Sequence, residues 1–391
     1  MRVAVLADFV EEGWPSMDLV ADMLVEQLQR EHAAAVTPEL IRPRLRSRLG
    51  AIPGTASLRA ALTADRIVNR IWDYPRSLAG LAARHDVFHV VDHSYAHLVH
   101  RLPAERTLVT CHDLDAFRCL LERGGEPRSA AFRAMTRYIL AGLRRAAHVA
   151  CDTVATRDAL VERAGIPADR TSVVHNGPHP SCTPAPEPIA DGEAGRLLGP
   201  ESARRAWLLH VGSAIPRKRI DVLLRVVTAV RRTHPEVRLI RVGGPLTAAQ
   251  RSLARDTGVS DAIVTLPFLD RATLAAVYRR SALLLQPSDR EGFGLPVLEA
   301  MACGTPVVAS GIEALREVGG WAATYCPSGD VEAWRAAVVG LLDERRLHPQ
   351  AWQARRERAL ARAAAFSWSR YAREMVALYG RVAAAGVAEP A

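Results

Sequence analysis

The stretch PSDREGFGLPVLEAMACGTPVVAS, from Pro287 to Ser310, follows directly on the apolar run Ala282-Leu283-Leu284-Leu285. The run reads as a short buried strand, and Pro287-Ser288-Asp289 as the turn that ends it. A helix is expected just beyond. Gly292 and Gly294 allow tight backbone geometry, and Pro296 suits a first helical turn because it has no N–H to leave unpaired. The N–H groups of Gly294, Leu295 and Val297 are then expected free at a positive helix end, which is an anion site. Glu291 and Glu299 bracket it. Carboxylates repel phosphates, so both read as acceptors for hydroxyl groups, and the pattern suggests a ligand with sugar, diphosphate and ribose in a row.

Length and composition set the frame around this stretch. At 391 residues the chain exceeds what one core usually serves, so two domains are expected. An apolar fraction of 49% and a charged fraction of 24% are those of a globular protein. The amino terminus, MRVAVLADFV, is broken by Asp8 and reads as a first strand, not as a targeting segment. No apolar stretch approaches the roughly 18 residues of a membrane span. Six cysteines lie far apart with no C-x-x-C pair, which suggests neither a zinc site nor a disulfide framework and points to a reduced, cytoplasmic protein. The net charge of +9 is spread along the chain, and Lys218 is its single lysine among 51 basic residues. So strong an arginine bias has the look of a genome-wide composition effect, which weakens any reading of total charge as a nucleic-acid footprint.

In the first half, Val3 to Ala7 reads as a strand and Met17 to Arg30 as an amphipathic helix, joined by a loop holding Gly13. Residues 38 to 60 are rich in Arg and Pro and give no clear element. A helix is expected over Thr63 to Ala83 and a strand over Val87 to Val91. His93, His97 and His100 then follow at i, i+4, i+7; without a carboxylate at ligand spacing on a second element they read as cleft or capping residues, and no metal site is expected. His93 and Tyr95 are candidates for the acceptor side. Leu108 to Cys111 is a strand ending in His112-Asp113-Leu114-Asp115, and polar residues just past a strand's carboxyl end are where open α/β sheets bind ligands. His112, Asp113 and Asp115 are therefore also acceptor-side candidates. Pro178 to about Ser202, with Pro180, Pro184, Pro186 and Pro188, reads as a linker.

The second half starts afresh with a strand at Trp207 to Val211, the loop Gly212-Ser213-Ala214-Ile215-Pro216-Arg217-Lys218-Arg219, and a helix from Ile220. Cations between a strand and a helix can grip a diphosphate, Arg through its fork and Lys as a point charge. Strands at Arg238–Val242 and Ile263–Leu266 follow, with Phe268 and Leu269 just after the latter. Ser367 to Val382 is amphipathic.

The motif E-G-F-G-L-P with a second Glu eight residues after the first, followed by MACGTPVVAS, resembles the nucleotide-sugar site of glycosyltransferase family 4. The resemblance is strongest over about residues 206 to 345. It implies the α/β GT-B fold: two Rossmann-like domains facing each other across a cleft, with a last helix crossing back to the first domain. The corresponding boundaries are an acceptor-binding domain over 1–185, a Pro-rich linker over 186–205, a nucleotide-sugar domain over 206–365, and a crossover helix and tail over 366–391. It further implies a retaining, metal-independent enzyme moving a sugar from a UDP-, GDP- or ADP-sugar, the co-substrate, with no separate cofactor. Arg217 and Lys218 match the family's phosphate-holding pair, with Ser213 where many members carry another Arg. By the same resemblance Gly13 approaches the donor phosphates, and Phe268 and Leu269 contact the base through backbone atoms. Phe293, Gly294, Leu295 and Pro296 then belong to the donor site, Glu291 holds the sugar, Glu299 the ribose, and His112 lies near the transferring sugar. The implied partners are the nucleotide sugar and a sugar, lipid-linked or small-molecule acceptor, without nucleic acid; peripheral contact with the inner membrane face stays open. Three competitors are weighed. A nicotinamide-dependent oxidoreductase lacks its G-x-G-x-x-G after the first strand. A phosphorylase would need a pyridoxal-bearing lysine, for which Lys218 is the sole candidate. A catalytically silent nucleotide-sugar-binding partner differs only in turnover.

Overall fold

The computed structural model describes residues 1–49, 51, 59–122, 127–199 and 205–387. Their contacts divide the chain into two compact units, Met1–Asn176 with Trp368 onward, and Gly177–Ser367. Each is built on a parallel sheet of six strands among the described residues.

The first unit contains β1 (Arg2–Leu6), β2 (Thr37–Ile41), β3 (Val87–Val90), β4 (Thr107–Cys111), β5 (His148–Cys151) and β6 (Thr171–Val173), in spatial order β2-β1-β3-β4-β5-β6. The second contains β7 (Trp207–Val211), β8 (Arg238–Val242), β9 (Ile263–Leu266), β10 (Leu283–Gln286), β11 (Val307–Ser310) and β12 (Thr324–Cys326), in the order β12-β11-β10-β7-β8-β9. Every pairing is parallel. The central strands β3, β4, β5, β10 and β11 are buried along their whole length, as helices on both faces require; this is why they read as continuous apolar runs without alternation.

Helices fill the connections. The first, Pro15–Glu31, begins with proline in its first turn and buries Leu19, Val20, Met23, Leu24 and Leu28. Three expectations need correction. The stretch left unplaced after residue 38 includes β2, an edge strand that pairs only with β1, is half exposed, and tolerates Pro38 for that reason. The helix expected over Thr63–Ala83 is instead Arg59–Val68, a π turn over Asn69–Asp73 and a short helix Tyr74–Ser77; Gly80, at φ 79°, turns the chain before a 3-10 turn at Leu81–Ala83. The linker read over 186–205 folds largely as a helix, Pro188–Leu198. Glu187 caps it by accepting from the Ala190 N–H at 2.7 Å, and Ala190, Ala194 and Leu198 join the second unit's core beside the helix Arg271–Arg280. Residues 200–204 of that stretch lie outside the described residues.

The last helix, Trp368–Val387, returns to the first unit and packs on Pro15–Glu31. Tyr371, Met375, Leu378, Tyr379 and Val382 are buried there. The final residues, 388–391, lie outside the described residues.

Candidate active site

Renumbered within the second unit, the strand order is 3-2-1-4-5-6, and the direction of winding reverses between β7 and β10. Ligands of doubly wound sheets bind outside the carboxyl ends of the strands at such a switch point. β7 and β10 are parallel neighbours with Leu208 opposite Leu283 and Leu209 opposite Leu284. The loops that follow them therefore emerge side by side, and this brings the cations of one against the acid of the other. Lys218 Nζ donates to both Glu291 oxygens, at 2.7 and 2.8 Å. Arg217 Nη1 donates to Glu291 Oε2 at 3.2 Å and to the Arg290 carbonyl at 2.9 Å. Gln286 Nε2 and Ser288 Oγ complete the shell, donating to Oε1 at 2.6 and 2.7 Å. Burial opposes ionisation of Glu291, but Lys218 and then Arg217 overcome it and hold the carboxyl near a pKa of about 2. The sequence reading treated Glu291 as a hydroxyl acceptor and catalytic candidate; the structure makes it also the counter-ion of Arg217 and Lys218. Gln286 and Ser288 were missed, although a polar residue closing an apolar strand was a signal.

Several residues hold these loops in place. Arg219, at φ 49°, is the only non-glycine residue with positive φ among the described residues. Asp221 and Asp289 grip its guanidinium, each at 3.0 Å, and so support a backbone conformation that costs on the order of 1–3 kcal/mol. Asp289 also donates its N–H to the Arg217 carbonyl at 2.9 Å, which ties the two loops together. Arg241 is fully buried in β8; its guanidinium donates to the carbonyls of Gly212, at 3.1 Å, and Gly244. Gly243, at φ 116°, lies so close to that loop that a Cβ would sit 2.4 Å from the Gly212 oxygen. An arginine inside an otherwise apolar strand was the available clue to this support.

The helix after β10 is Leu295–Ala302, with Gly294 at its cap at φ 100°. A Cβ on Gly294 would meet Leu315 Cδ2 at 2.5 Å, so this glycine is required twice over. Among the described residues nothing accepts from the Gly294 or Leu295 N–H, as expected of a helix start, but Val297 donates to the Gly294 carbonyl at 2.9 Å and is not free. Pro296 occupies the first turn. Glu299 falls in the second turn, buried, accepting from Tyr278 Oη at 3.0 Å with Arg271 at 3.8 Å. Burial raises its pKa, and Arg271 and the Tyr278 hydroxyl oppose that only in part. Phe293 is buried edge-on against Phe366 and so shapes the loop from inside. Leu269 packs on the core, whereas Phe268 is 62% exposed.

In the first unit the winding reverses between β1 and β3, and the residues just past their ends are Asp8 and Asp92. Both are buried; neither oxygen of Asp8 has a hydrogen-bond donor, and burial together with the Asp92 charge raises its pKa well above the usual carboxylate range. Beside them His112 is held at both ring nitrogens, Nδ1 at 2.6 Å from Asp152 Oδ2 and Nε2 at 2.7 Å from the Val91 carbonyl. Both partners only accept, so both nitrogens carry protons. Burial works against that charge, but Asp152 and Asp92 raise the pKa to about 9. His112 is thus a fixed imidazolium with no lone pair to take a proton. Its backbone N–H donates to His93 Nδ1 at 3.3 Å, and His93 lies 3.8 Å from Asp113. Asp113 in turn caps the turn by accepting from the Asp115 N–H at 2.9 Å. Tyr95 sits apart, buried between Phe9 and Tyr74 under the Arg70 guanidinium. Gly13 ends a 3-10 turn at φ 71°. The histidine spacing fails as a metal face because His93–Arg101 is a 3-10 helix, where i and i+4 diverge. His97 and His100 turn to the Arg70 and Tyr138 carbonyls instead.

Two doubly wound units, one with an acid-anchored cationic pair and a helix start at its switch point, define the GT-B class of α/β proteins. Residues 205–344 match the family described as "Glycosyl transferases group 1", and residues 20–181 match "Glycosyltransferase Family 4". The chain belongs to glycosyltransferase family 4. It is 33% identical over 242 residues to a D-inositol 3-phosphate glycosyltransferase of Thermobispora bispora, covering 58% of this chain and 54% of that protein. Its match to the Mycobacterium marinum protein of that name is 37% over 180 residues, 44% of this chain and 37% of the other. The chain thus spans about half the length, or less, of these curated relatives. Among solved structures it resembles sucrose-phosphate synthase from Thermosynechococcus elongatus, with a TM-score of 0.73 at 22% identity over 98% of this chain and 100% of that one. It also resembles Anabaena HepE in complex with UDP-glucose, with a TM-score of 0.71 at 17% identity over 97% of this chain and 100% of the other. At those identities the likeness speaks for the fold.

Proposed function

We propose that the chain transfers a sugar from a nucleotide diphosphate sugar to an acceptor hydroxyl, with retention of anomeric configuration and without a metal ion. The observation that carries this reading is the Arg217–Lys218–Glu291 cluster beside the Gly294–Leu295 helix start. When the bond from the anomeric carbon to the β-phosphate oxygen breaks, negative charge builds on the diphosphate. Two cations and two N–H groups fixed in advance stabilise that charge in place of a metal. Glu291, ionised at any ordinary pH, is tied to four donors; this fixes the two cations in place and ill suits attack as a nucleophile. Glu299 is the counterpart for ribose hydroxyls.

The acceptor falls to the first unit in this reading. The relatives named above carry inositol 3-phosphate in their names. Here the first unit's switch point carries Asp8, Asp92 and Asp113 beside the His112 imidazolium, a setting whose acceptors suit hydroxyl groups. Six cysteines, all free thiols, are consistent with action in a reducing cytoplasm.

The test is turnover of labelled UDP-, GDP- and ADP-sugars by the purified chain, with and without chelator, followed by assignment of the product anomer. Release of nucleoside diphosphate that survives chelation, with a retained anomer, is expected. A donor that binds by calorimetry yet is neither hydrolysed nor transferred would mark the chain as a silent partner.

A further inference from the structure

His210 is the next-to-last residue of β7, in the middle of the second unit's sheet. It is fully buried, and neither ring nitrogen has a hydrogen-bond partner among the described residues. Strand alternation turns it to the same face as Leu208, into the apolar layer that also holds Ile220, Leu223 and Leu239. An aliphatic side chain would fill that place without stranding two polar atoms, which ordinarily have partners when buried. The groups nearest to it are ionic. Across the strand pair it stands in register with Arg241, and a Cβ on Gly212 would lie 3.4 Å from His210 Cε1 and 3.5 Å from Lys218 Cε. Cε1 sits between the two ring nitrogens, so the nitrogen-bearing edge of the imidazole and the lysine chain meet at the start of the loop that carries Arg217 and Lys218.

Three charged groups act on the ring: Arg241 from β8, Lys218 from the loop after β7 and Glu291 from the loop after β10. Burial first, and then the two cations, lower its pKa to about 3 against the pull of Glu291, so with only these charges around it the ring is neutral. A nucleoside diphosphate held by Lys218 adds a polyanion beside that same lysine and reverses the sign of the field at the imidazole. A fixed cation in this place would stand buried against Arg241 and Lys218 whether or not the polyanion was there. An imidazole can charge only when it is. From this juxtaposition we propose that His210 takes up a proton when a nucleoside diphosphate binds and becomes a further positive charge behind Lys218, so that binding of the leaving group is proton-linked. The proton passes from solvent to a ring nitrogen, and no bond of the nucleotide is made or broken. The inference rests on the donor site proposed above and gives His210 a positioning role that acts through Lys218, without contact with the substrate. Because the ring is charged only in the complex, affinity strengthens as pH falls and weakens as pH rises through the pKa of the complex.

The test is calorimetry of the full chain with UDP, GDP and ADP in turn, in paired buffers of low and high ionisation heat. For the nucleotide that binds, wild type is expected to take up more protons than His210→Phe, by an amount approaching about one proton near pH 6 and vanishing by about pH 9. Over that range its affinity should fall about tenfold more than that of the variant. The nucleotide's own ionisation is common to both proteins and cancels. His210→Gln, polar but without a titrating nitrogen, should match His210→Phe; a merely structural ring would alter thermal stability in the variants and leave the proton count as it was. One imidazole resonance, missing from the spectrum of His210→Gln, should move to its charged position when nucleotide is added. Equal proton counts in wild type and variants with nucleotide bound, or a resonance that stays at its neutral position, overturn the proposal and leave the donor site standing. Failure of all three nucleotides to bind overturns the donor site and this proposal together.

Discussion

At the scale of single residues, Lys218 sets the ionisation of Glu291, and Glu291 anchors the Lys218 ammonium in place. Removing the lysine leaves a buried carboxylate with one arginine, and removing the acid leaves two cations facing each other. Lys218→Ala is therefore expected to lower turnover by about 10²–10³-fold with a smaller change in donor affinity, because the charge it meets is largest at bond cleavage. Steady-state kinetics with the identified donor checks this; unchanged turnover would falsify the catalytic assignment. His112 yields a prediction of opposite electrostatic sign. Its folded pKa of about 9 lies above the unfolded value near 6.5, so its contribution is fully present below pH 6.5 and is lost as pH rises through about 9. Chemical denaturation should show a loss on the order of 3 kcal/mol at most across that window, absent in His112→Asn. For Glu291 the lowered pKa reverses the direction: its contribution is lost only as pH falls toward about 2.

Single elements show what sequence could and could not convey. The strand–turn–helix at Leu283–Ala302 was legible because its chemistry is local: an apolar run, a turn, glycines where φ is positive, proline in the first turn. Gly294→Ala tests that reading, since φ 100° and the Leu315 contact both oppose a methyl group. A loss of about 1–3 kcal/mol in thermal unfolding and weaker donor binding are expected, and Leu315→Ala should restore only part because the backbone strain remains. Pairing across long separations was not legible. Nothing near Glu291 announces a partner 73 residues away; only the parallel register of β7 and β10 brings Lys218 to it. Helix type was equally hidden: His93, His97 and His100 look like one face only if the turn has 3.6 residues, and here it is tighter. Prolines at 184, 186 and 188 suggested a linker, but Pro188 with Glu187 before it opens a helix, and the same residues serve either end.

For the molecule as a whole, the consequential feature is that the chain leaves the first unit at Asn176 and comes back at Trp368. The returning helix is part of the first unit's core and not an appendage to it. His89 in β3 is fully buried, with Nε2 at 2.7 Å from Thr110 Oγ1 and Nδ1 at 2.8 Å from Tyr379 Oη. Burial lowers its pKa to about 3, so it stays neutral and depends on that hydroxyl to satisfy its second nitrogen. Tyr379→Phe should cost about 1–3 kcal/mol through the buried nitrogen it strands, and Tyr379→Ala about 3–5 kcal/mol through the cavity it opens. A chain ending at Ser367 loses Tyr371, Met375, Leu378 and Val382 from that core as well. Two-transition calorimetry should show the first unit's melting lowered or lost, while the second unit, whose sheet and Arg217–Lys218–Glu291 cluster lie within Gly177–Ser367, should keep its own transition and the affinity for a nucleotide sugar that the proposed function assigns to it. If both transitions fell together, the units would not be independent folding bodies, and the stability of the first unit could not be separated from that of the second.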